Sequence, residues 1–567
     1  MTHRQPAKLD GILRMAAAAG LLLFLFLQVF PFIRNFAKEP FQVLTREEVR
    51  QRAEALAAER FGTEAGRIVS LDVTHLTDSR ATGYFSKYGL LDDYEETWYA
   101  DFPADVYRAD LRLDDGSFLH LSFHMESGNL VSWEYEAGDG ADAAPASVRP
   151  EDALAWAAGW GIRAGEWTPV ADSGGEADGE WTFRHRGGPP GEAGLLLTVR
   201  LPASGDADGA PAGGKIAYRF ELPEAFTAEL DRQQERALRW TMLGNLLPQA
   251  AMFLLAVIYA GLYGNYTSFR RGWFLAALAF LIYFVVTLNM WSGYRADLLF
   301  EGLPVDEAET AVFVTMAVSV MLAMGGAFMT YFCAVAGDGL WNRMEPGKRL
   351  WPRWRDADYG ERAYDAMKRG YLIAFILLGL QSVIFLALQA GLGAFATTDA
   401  SQTAYNMTHP WVYPVYGWWA AIGEEIQIRF FGIGIMRLWL IGLAAFLLRK
   451  APSARTAAAL TWLAMIPPNL VWAFGHVGYS IYPVYSRLIE LVLIGFLIGW
   501  FMIRFGLMTV IFAHAALDAV LIGTQLLTDG MPGDAWAAVA FMASPALVGW
   551  AILRLHRLLR KPGTAAA

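Results

Sequence analysis

The sequence predicts a mainly α-helical protein, a bundle of about ten membrane spans with an extracytoplasmic α+β domain inserted after the first span. Apolar residues make up 55% of the 567 residues, and the mean hydropathy is +0.28, both typical of a chain that crosses a bilayer repeatedly. Acidic residues crowd positions 39–237, whereas basic residues crowd the short loops between apolar segments. The formal net charge of -10 argues against nucleic acid as a partner.

Composition divides the chain into an anchor, a polar domain and two groups of membrane helices, at residues 1–39, 40–237, 238–400 and 401–567. The first apolar stretch, 11–33, follows Arg4 and Lys8, and no small-residue cleavage pattern comes after it. We therefore expect a retained anchor with a cytoplasmic N-terminus; a cleaved signal peptide is the alternative.

Residues 40–236 are expected to hold two diverged copies of one α+β unit. The first copy begins with a helix near 45–61, where Thr45 and Glu48 form a capping-box pattern, and the second begins with a helix at Pro150. Alternating strands follow near 105–113, 117–124 and 129–135 in the first copy and near 180–186, 193–201 and 215–222 in the second. The Gly/Ala/Asp-rich stretches 137–147 and 203–214 are interpreted as linkers or hairpin loops. This order of helix and strands resembles the PepSY-type domains of exported bacterial proteins, and it indicates a packed module without a site of its own.

The rest of the chain alternates apolar segments with short polar loops. Further spans are expected at 240–264, 272–290, 309–335, 371–395, 413–448, 456–482, 486–503, 507–527 and 535–555. With the N-terminus inside, the basic clusters at 270–271, 343–369, 449–455 and 554–561 all fall in inner loops, as the positive-inside rule requires. Splitting 413–448 into two spans would place the 449–455 cluster outside, so we keep it as one long, bent or tilted span. The protein is therefore expected in the cell membrane with both termini cytoplasmic and residues 40–237 extracytoplasmic.

The most informative stretch is GEEIQIRFFGIGIMR, residues 423–437, because it puts charges inside a segment otherwise apolar enough to cross a bilayer. Each charge at membrane depth costs roughly 2.5–3.5 kcal/mol on insertion scales, so such residues usually serve a function. On a helix, Glu425 and Arg429 are i,i+4 neighbours and are expected to pair. Glu424 points about 100° away and faces no cation on its own helix. Glu424 is therefore the candidate for chemistry.

Further ionisable residues fall on later apolar segments, namely His476 in WAFGHVG, and His514 and Asp518 in FAHAALDA. His514 and Asp518 are i,i+4 neighbours, so the carboxylate is close enough to orient the imidazole. Counting the rise per residue from the segment ends places His514 and Glu424 at nearly the same depth. These residues are therefore expected to meet in one layer of the membrane.

The segment that carries His476 also contains Pro467 and Pro468, which remove helix hydrogen bonds and are expected to bend the span. His476 fits the common depth less well. It lies toward the outer end of its span unless that helix continues past Tyr479.

Three motifs in order, EExxxR, aromatic-xxx-His and HxxxN/D, resemble the CPBP family, which comprises the CAAX prenyl protease type II and bacteriocin-processing intramembrane proteases. Here the motifs are Glu424 to Arg429, Trp472 to His476 and His514 to Asp518, all within residues 370–530. The aromatic residue is usually Phe and is Trp472 here, and the last residue is usually Asn and is Asp518 here. Because an ionised Asp cannot donate a hydrogen bond to an oxyanion, Asp518 is expected to hold His514 instead.

The resemblance implies an intramembrane endopeptidase of bacterial type that hydrolyses a peptide bond of a membrane-associated or lipid-modified protein. Glu424 would act as general base on a water molecule, helped by His476, and His514 would polarise the scissile carbonyl or stabilise its oxyanion. Glu425 and Arg429 would be a structural pair. The partners implied are a peptide or protein substrate and the lipid bilayer; the sequence identifies neither the substrate nor the oligomeric state.

A metal ion is an open question at this site. Glu424, His476 and His514 could ligate zinc with a water in the fourth position, as the name metalloprotease, often given to the family, implies. The sequence contains no HExxH motif, and the glutamate-water mechanism needs no ion, so we expect no obligatory metal. The only cysteine, Cys333, lies in an apolar span and provides neither a disulfide nor a cysteine-ligated metal site.

Two other functions use the same residues differently. A non-catalytic immunity or scaffold protein of the same fold would use the charges for packing. A proton-coupled transporter would scatter ionisable residues along the depth of several spans, whereas here they concentrate in one layer.

Overall fold

The computed structural model describes residues 7–31, 33–34, 42–138, 149–170, 179–202, 213–300, 302–531 and 534–559. The protein is mainly helical and contains a sheet of eight strands. Within the described residues, 8 helices are long and apolar enough to cross a membrane, or up to 10 if each of two bent helix pairs is one span. The predicted helical bundle with an inserted sheet domain is confirmed at this level. The predicted linkers 137–147 and 203–214 lie almost entirely outside the described residues, as does Arg4.

The helices account for most of the chain. In chain order they are α1 (Ala7–Phe24), α2 (Arg46–Phe61), α3 (Ser79–Tyr88), α4 (Leu91–Thr97), α5 (Pro150–Ala158), α6 (Glu224–Trp240), α7 (Leu247–Leu262), α8 (Trp273–Asn289), α9 (Trp291–Phe300), α10 (Val305–Met344), α11 (Tyr359–Leu392), α12 (Tyr416–Glu424), α13 (Ile433–Leu448), α14 (Ala454–Ala464), α15 (Ile466–Phe474), α16 (Val484–Phe505), α17 (Leu507–Thr528), α18 (Ala535–Met542) and α19 (Ser544–Leu559). Segments of π-helix at Leu25–Val29, Thr241–Leu246 and Glu425–Gly432 extend or join these helices.

The sheet domain is built from strands β1 (Ile68–Thr77), β2 (Asp105–Leu113), β3 (Phe118–His124), β4 (Leu130–Glu136), β5 (Trp167–Pro169), β6 (Glu180–His185), β7 (Gly194–Arg200) and β8 (Lys215–Glu221). Each predicted strand is present near its predicted position. Strands β1 and β5 and helices α3 and α4 were not predicted. Two further short strands, β9 (Phe395–Ala396) and β10 (Ile481–Tyr482), pair with each other between the long helices.

The strand order is β1-β2-β3-β4-β8-β7-β6-β5, and every neighbouring pair is antiparallel. The first four strands form one meander and the last four form a second that meets it in reverse order. The two meanders join where Trp133 pairs with Ile216 and Glu134 pairs with Lys215. The sheet thus consists of two four-stranded meanders joined edge to edge.

Helix α2 begins and ends as its sequence predicts. The hydroxyl of Thr45 accepts a hydrogen bond from the Glu48 amide, and the Glu48 carboxylate accepts one from the Thr45 amide, so the capping box is complete. Gly62 ends the helix with φ of 63°, a conformation that favours glycine. The helix packs on β1 and β2.

Buried polar contacts attach the sheet domain to the long helices. Arg295 of α9 donates hydrogen bonds to Asp110 of β2 at 2.7 Å and to Thr74 of β1 at 2.6 Å. The side chain of Asn406 accepts a hydrogen bond from the His75 amide at 2.9 Å and donates one to the His75 carbonyl at 2.8 Å. All five residues are buried. Directional hydrogen bonds therefore fix the domain on the bundle.

Helix α1 packs along α11 with little space between the two backbones. A Cβ atom added to Gly20 would overlap the Phe375 carbonyl, and one added to Gly379 would overlap the Gly20 backbone. Small residues allow helices to approach this closely in membranes.

Boundaries of the long helices agree with most of the predicted spans. The segment Pro410–Leu448 is one helical run of 39 residues, which agrees with keeping 413–448 as one span. The predicted span 240–264 belongs to a longer run, Glu224–Leu262, whose first part is the amphipathic helix α6. The predicted end of 456–482 is wrong, because α15 ends at Phe474. Helix α17 is the most buried of these candidate spans, with 72% of its apolar 18-residue stretch buried in the protein.

Candidate functional site

Glu424 and Glu425 lie at a change of helix type. Glu424 is the last residue of α12, and Glu425 begins a π-helical segment that continues to Gly432. Single turns of π-helix are rare and occur often at functional sites. A Cβ atom on Gly432 would lie 2.9 Å from the Pro468 ring, so glycine allows this segment to pack closely against α15.

Glu424 contacts three side chains from other parts of the bundle. It accepts a hydrogen bond from the indole nitrogen of Trp472. Its Oε1 atom lies 3.5 Å from Nε2 of His476, and its Oε2 atom lies 3.9 Å from Nε2 of His514. The side chain is 21% exposed, so a small molecule can reach it. The structure therefore brings together the acid and the two imidazoles that the sequence singled out.

Glu425 has two partners where the sequence predicted one. Its Oε1 atom lies 3.4 Å from Nη1 of Arg429, the expected pairing, and 2.9 Å from Nδ1 of His514 on α17. All three side chains are buried. Asp518 was expected to hold His514, and its Oδ2 atom does lie 3.6 Å from Nε2 of that ring. The hydrogen bond that fixes the ring is nevertheless the one that its Nδ1 donates to the Glu425 carboxylate on the π-helical segment.

Trp472 has a larger role than the sequence indicated. The Arg429 guanidinium carbon lies 3.8 Å from the centre of the Trp472 ring, a cation–π contact. The same indole donates to Glu424. Trp472 therefore contacts both Arg429 and Glu424, the cation and the first acid of the EExxxR motif. A Phe at this position would keep the aromatic ring but would have no hydrogen-bond donor. The presence of Trp is therefore the feature of the sequence that could have predicted the hydrogen bond to Glu424.

His476 lies beyond the end of α15, in a turn, so the condition that its helix run past Tyr479 is not met. Its Nδ1 atom is 2.8 Å from the Trp472 carbonyl, which can only accept, so Nδ1 carries the hydrogen. Its ring stacks on Tyr479 with ring centres 5.5 Å apart. Because α15 ends before His476, the chain can turn the His476 ring back toward Glu424. His476 therefore reaches Glu424, although the predicted span put it nearer the outer end.

The two prolines act differently from the expected bend within one helix. Helix α14 ends at Ala464 and α15 begins at Ile466, so Pro467 and Pro468 lie in the first turn of a new helix. Proline is tolerated there because the first-turn amides have no partner within the helix.

Asp518 belongs to the same group of ionisable side chains as Glu424 and His514. A Cβ atom on Gly417 would lie 2.5 Å from that of Asp518, so this glycine lets α12 and α17 pack closely beside the site. The Asp518 side chain is 22% exposed, similar to Glu424. Both carboxylates are therefore partly exposed, and both lie beside His514.

The proposed zinc ligands Glu424, His476 and His514 converge, but the part of the chain that the structure describes contains no group of three or more His, Cys, Asp or Glu side chains placed to hold a metal ion. In both histidines, Nδ1 is hydrogen-bonded to an acceptor and Nε2 faces Glu424. The arrangement can exchange protons between Glu424 and a small molecule held against it.

Comparisons with protein-family models, with curated proteins and with solved structures found no match to this chain.

Proposed function

We propose that this chain is a membrane-embedded endopeptidase of the CPBP type, which hydrolyses a peptide bond of a membrane-associated or lipid-modified protein. The observation that carries the proposal is the placement of the Glu424 carboxylate within 3.5 Å and 3.9 Å of two imidazole nitrogens. An acid at membrane depth without a cation partner on its own helix is expensive and usually functional. Its neighbours are groups that can move protons and stabilise negative charge.

The reaction would begin with a water molecule bound against Glu424. Glu424 takes one proton from this water as its oxygen attacks the carbonyl carbon of the scissile bond. The Glu424 proton then passes to the leaving nitrogen as the C–N bond breaks. His476, whose Nδ1 hydrogen is held by the Trp472 carbonyl, presents Nε2 to the same water and helps to orient it.

His514 would stabilise the oxyanion formed during the attack. Its Nδ1 hydrogen is directed at Glu425, so in the doubly protonated ring Nε2 can donate to the oxyanion. The carboxylates of Glu425 and Asp518 support that positive charge. Arg429 balances Glu425 and keeps the segment in place.

The topology belongs to the same proposal. The basic residues of the loops support an orientation in which both termini are cytoplasmic and the sheet domain, with its two PepSY-like units, lies outside the cell. The Arg295–Asp110 contact would then lie at the outer surface and hold the domain over the bundle.

The test is hydrolysis by the full-length protein reconstituted in vesicles that contain internally quenched membrane-spanning peptides. Glu424→Gln is expected to reduce cleavage by about 10²–10⁴-fold or more, because it removes the general base, while thermal stability stays near wild type. Asp338→Asn is the control for removing another carboxylate from a long apolar helix; unlike Glu424, Asp338 is buried and pairs with Arg271.

Undiminished activity of Glu424→Gln would reject the proposed mechanism, and absence of cleavage by the wild type would favour the packing or proton-transport alternatives. Chelator treatment of the wild type answers the metal question separately, since a glutamate-water mechanism without a metal predicts full retention of activity.

A further inference from the structure

A cavity lies between α1, α11, α16 and α17 and has a volume of about 410 Å³. Pockets that bind organic ligands commonly span about 300–1,000 Å³. Its walls contain both apolar and polar side chains, and the polar side chains include Gln28, Gln381, Arg487, Thr524, Gln525 and Thr528. Polar side chains in a cavity among long apolar helices need an explanation, because unpaired amides are costly at membrane depth.

The charges that line the cavity cancel. Arg487 and Glu490 both contribute to its wall, and Nη1 of Arg487 lies 2.9 Å from both carboxylate oxygens of Glu490. A site for a phosphate would need positive charge in excess. The lining therefore favours an uncharged polar ligand over a lipid phosphate.

The three glutamines suit one kind of uncharged ligand. Each carboxamide offers both donors and an acceptor, as does a peptide group. The Oε1 atom of Gln381 is buried and has no hydrogen-bond partner. The hydroxyl of Thr528 donates to its own helix and keeps its lone pairs free to accept. This lining is complementary to the backbone of an extended peptide.

Two walls of the cavity continue to the candidate site. On α17, Asp518, Leu521, Gln525 and Thr528 follow one another at intervals of three or four residues and so share one face of the helix. Asp518 begins this stripe and contacts His514.

On the other side, the Arg487 guanidinium lies 5.4 Å from the Tyr479 ring centre, and Tyr479 stacks on His476. The cavity is therefore separated from the candidate site by about one helical turn on one wall and one aromatic ring on the other.

We propose that this cavity binds an extended, uncharged segment of the polypeptide substrate next to the bond that Glu424 cleaves. The inference rests on the proposed function, because it names the substrate segment that the same site would hold. A polypeptide with a charged residue in that segment would bind poorly, because the cavity has no unpaired charge to receive it.

The test measures binding rather than cleavage, in the purified full-length Glu424→Gln protein. The probe is a fluorescein-labelled apolar peptide of about 20 residues, long enough to cross a bilayer, with Gly-Ser-Gly at its centre. The double substitution Gln381→Leu and Gln525→Leu is expected to weaken peptide affinity about tenfold or more. Gln389→Leu, at an exposed position of α11, is the matched control and is expected to bind like the parent.

A second variant, Leu521→Trp, fills the cavity without changing its polar groups and is expected to weaken peptide binding as well. Pyrene-labelled phosphatidylglycerol is measured in parallel and is expected to bind all variants equally. Unchanged peptide affinity in both variants, no peptide binding by the parent, or a loss of lipid binding instead would each overturn the inference. Cleavage by the protein that retains Glu424 is scored separately, so cavity-dependent binding without hydrolysis rejects only the proposed function.

Discussion

Nδ1 of His514 lies 2.9 Å from a carboxylate oxygen of Glu425, although the two residues belong to different helical segments. The same oxygen lies 3.4 Å from Nη1 of Arg429. One buried carboxylate thus supports a cation on its own helix and an imidazole on α17. Removing its charge would leave both groups without their anionic partner.

Glu425→Gln is therefore expected to destabilise the protein by about 3–5 kcal/mol, the usual effect of removing one partner of a buried ion pair. The measurement is the thermal unfolding midpoint of the purified protein. Combining the substitution with Arg429→Met should restore part of the stability, because no uncompensated cation remains. A single variant as stable as wild type would show that the pair contributes nothing to the fold.

Trp472→Phe separates the two roles of the indole. The ring beside Arg429 is kept and the donor to Glu424 is lost. A hydrogen bond to a charged group contributes about 1.5–3 kcal/mol, so we expect about 10- to 100-fold slower hydrolysis with nearly unchanged thermal stability. Trp462→Phe, at an exposed indole on α14, is the control. Equal rates for wild type and Trp472→Phe would mean that the donor does not act in the reaction.

Arg295→Met tests how the sheet domain is held. Asp110 keeps its contacts with Arg108 and His120, so the expected loss is that of the two hydrogen bonds from Arg295 to Asp110 and Thr74, about 1.5–3 kcal/mol each. Protection of the domain from limited proteolysis should fall while hydrolysis of the peptide bond can still be assayed. Arg557→Met is the control, since its pair with Glu361 is exposed and contributes little.

Acid should weaken the same contact. Burial alone would raise the pKa of Asp110, but Arg108, His120 and Arg295 outweigh it and hold the pKa well below its usual 3.8. A depressed pKa in the folded state means that the stabilisation is present above the unfolded pKa and is lost as pH falls through the folded value. Proteolytic protection should therefore persist at neutral pH and decrease in strong acid, and a domain released first at alkaline pH would contradict this.

Asp529, just after α17, is expected to have the opposite pH dependence. Burial raises the pKa of Asp529 to about 7, and its Oδ2 atom has no hydrogen-bond partner. Because the folded pKa exceeds the unfolded 3.8, its contribution is fully present below that value and is lost as pH rises through about 7, at up to about 1.4 kcal/mol per pH unit.

Asp529→Asn should therefore be more stable than wild type at pH 8 and should show a flatter dependence of the unfolding midpoint between pH 4 and pH 7. Asp306→Asn, at an exposed position, is the surface control. Parallel curves for wild type and Asp529→Asn would contradict the assignment.

The sequence was informative wherever a residue's role follows from spacing on one helix. Charges inside an apolar run selected Glu424 and Glu425, and the i,i+4 rule predicted the Glu425–Arg429 pair. The capping box of α2 and the strands of the sheet domain were predicted from local patterns in the same way. Each of these features is decided within a few residues of chain.

Counting the rise per residue predicted that Glu424 and His514 meet, but the other contacts between elements did not follow from spacing. The Glu425–His514 hydrogen bond joins two helical segments, and the Arg295–Asp110 contact joins a helix to a distant strand. The predicted span that carries His476 ended at 482, although α15 ends at Phe474 and is followed by Gly475 and Gly478. These features depend on how the elements pack against one another, and the periodicity of a single sequence carries no information about that packing.

The contact between Gly20 and Gly379 has a consequence for the order of synthesis. Helix α1 leaves the ribosome before the sheet domain, whereas the surface on α11 that receives it is made after that domain. Helix α1 therefore has no partner on α11 until the sheet domain has been synthesised. A bulkier residue at either glycine is therefore expected to block only the packing of α1 on α11, the last of these steps. Such a chain should accumulate as a late assembly intermediate in which the other elements are formed but α1 is not packed.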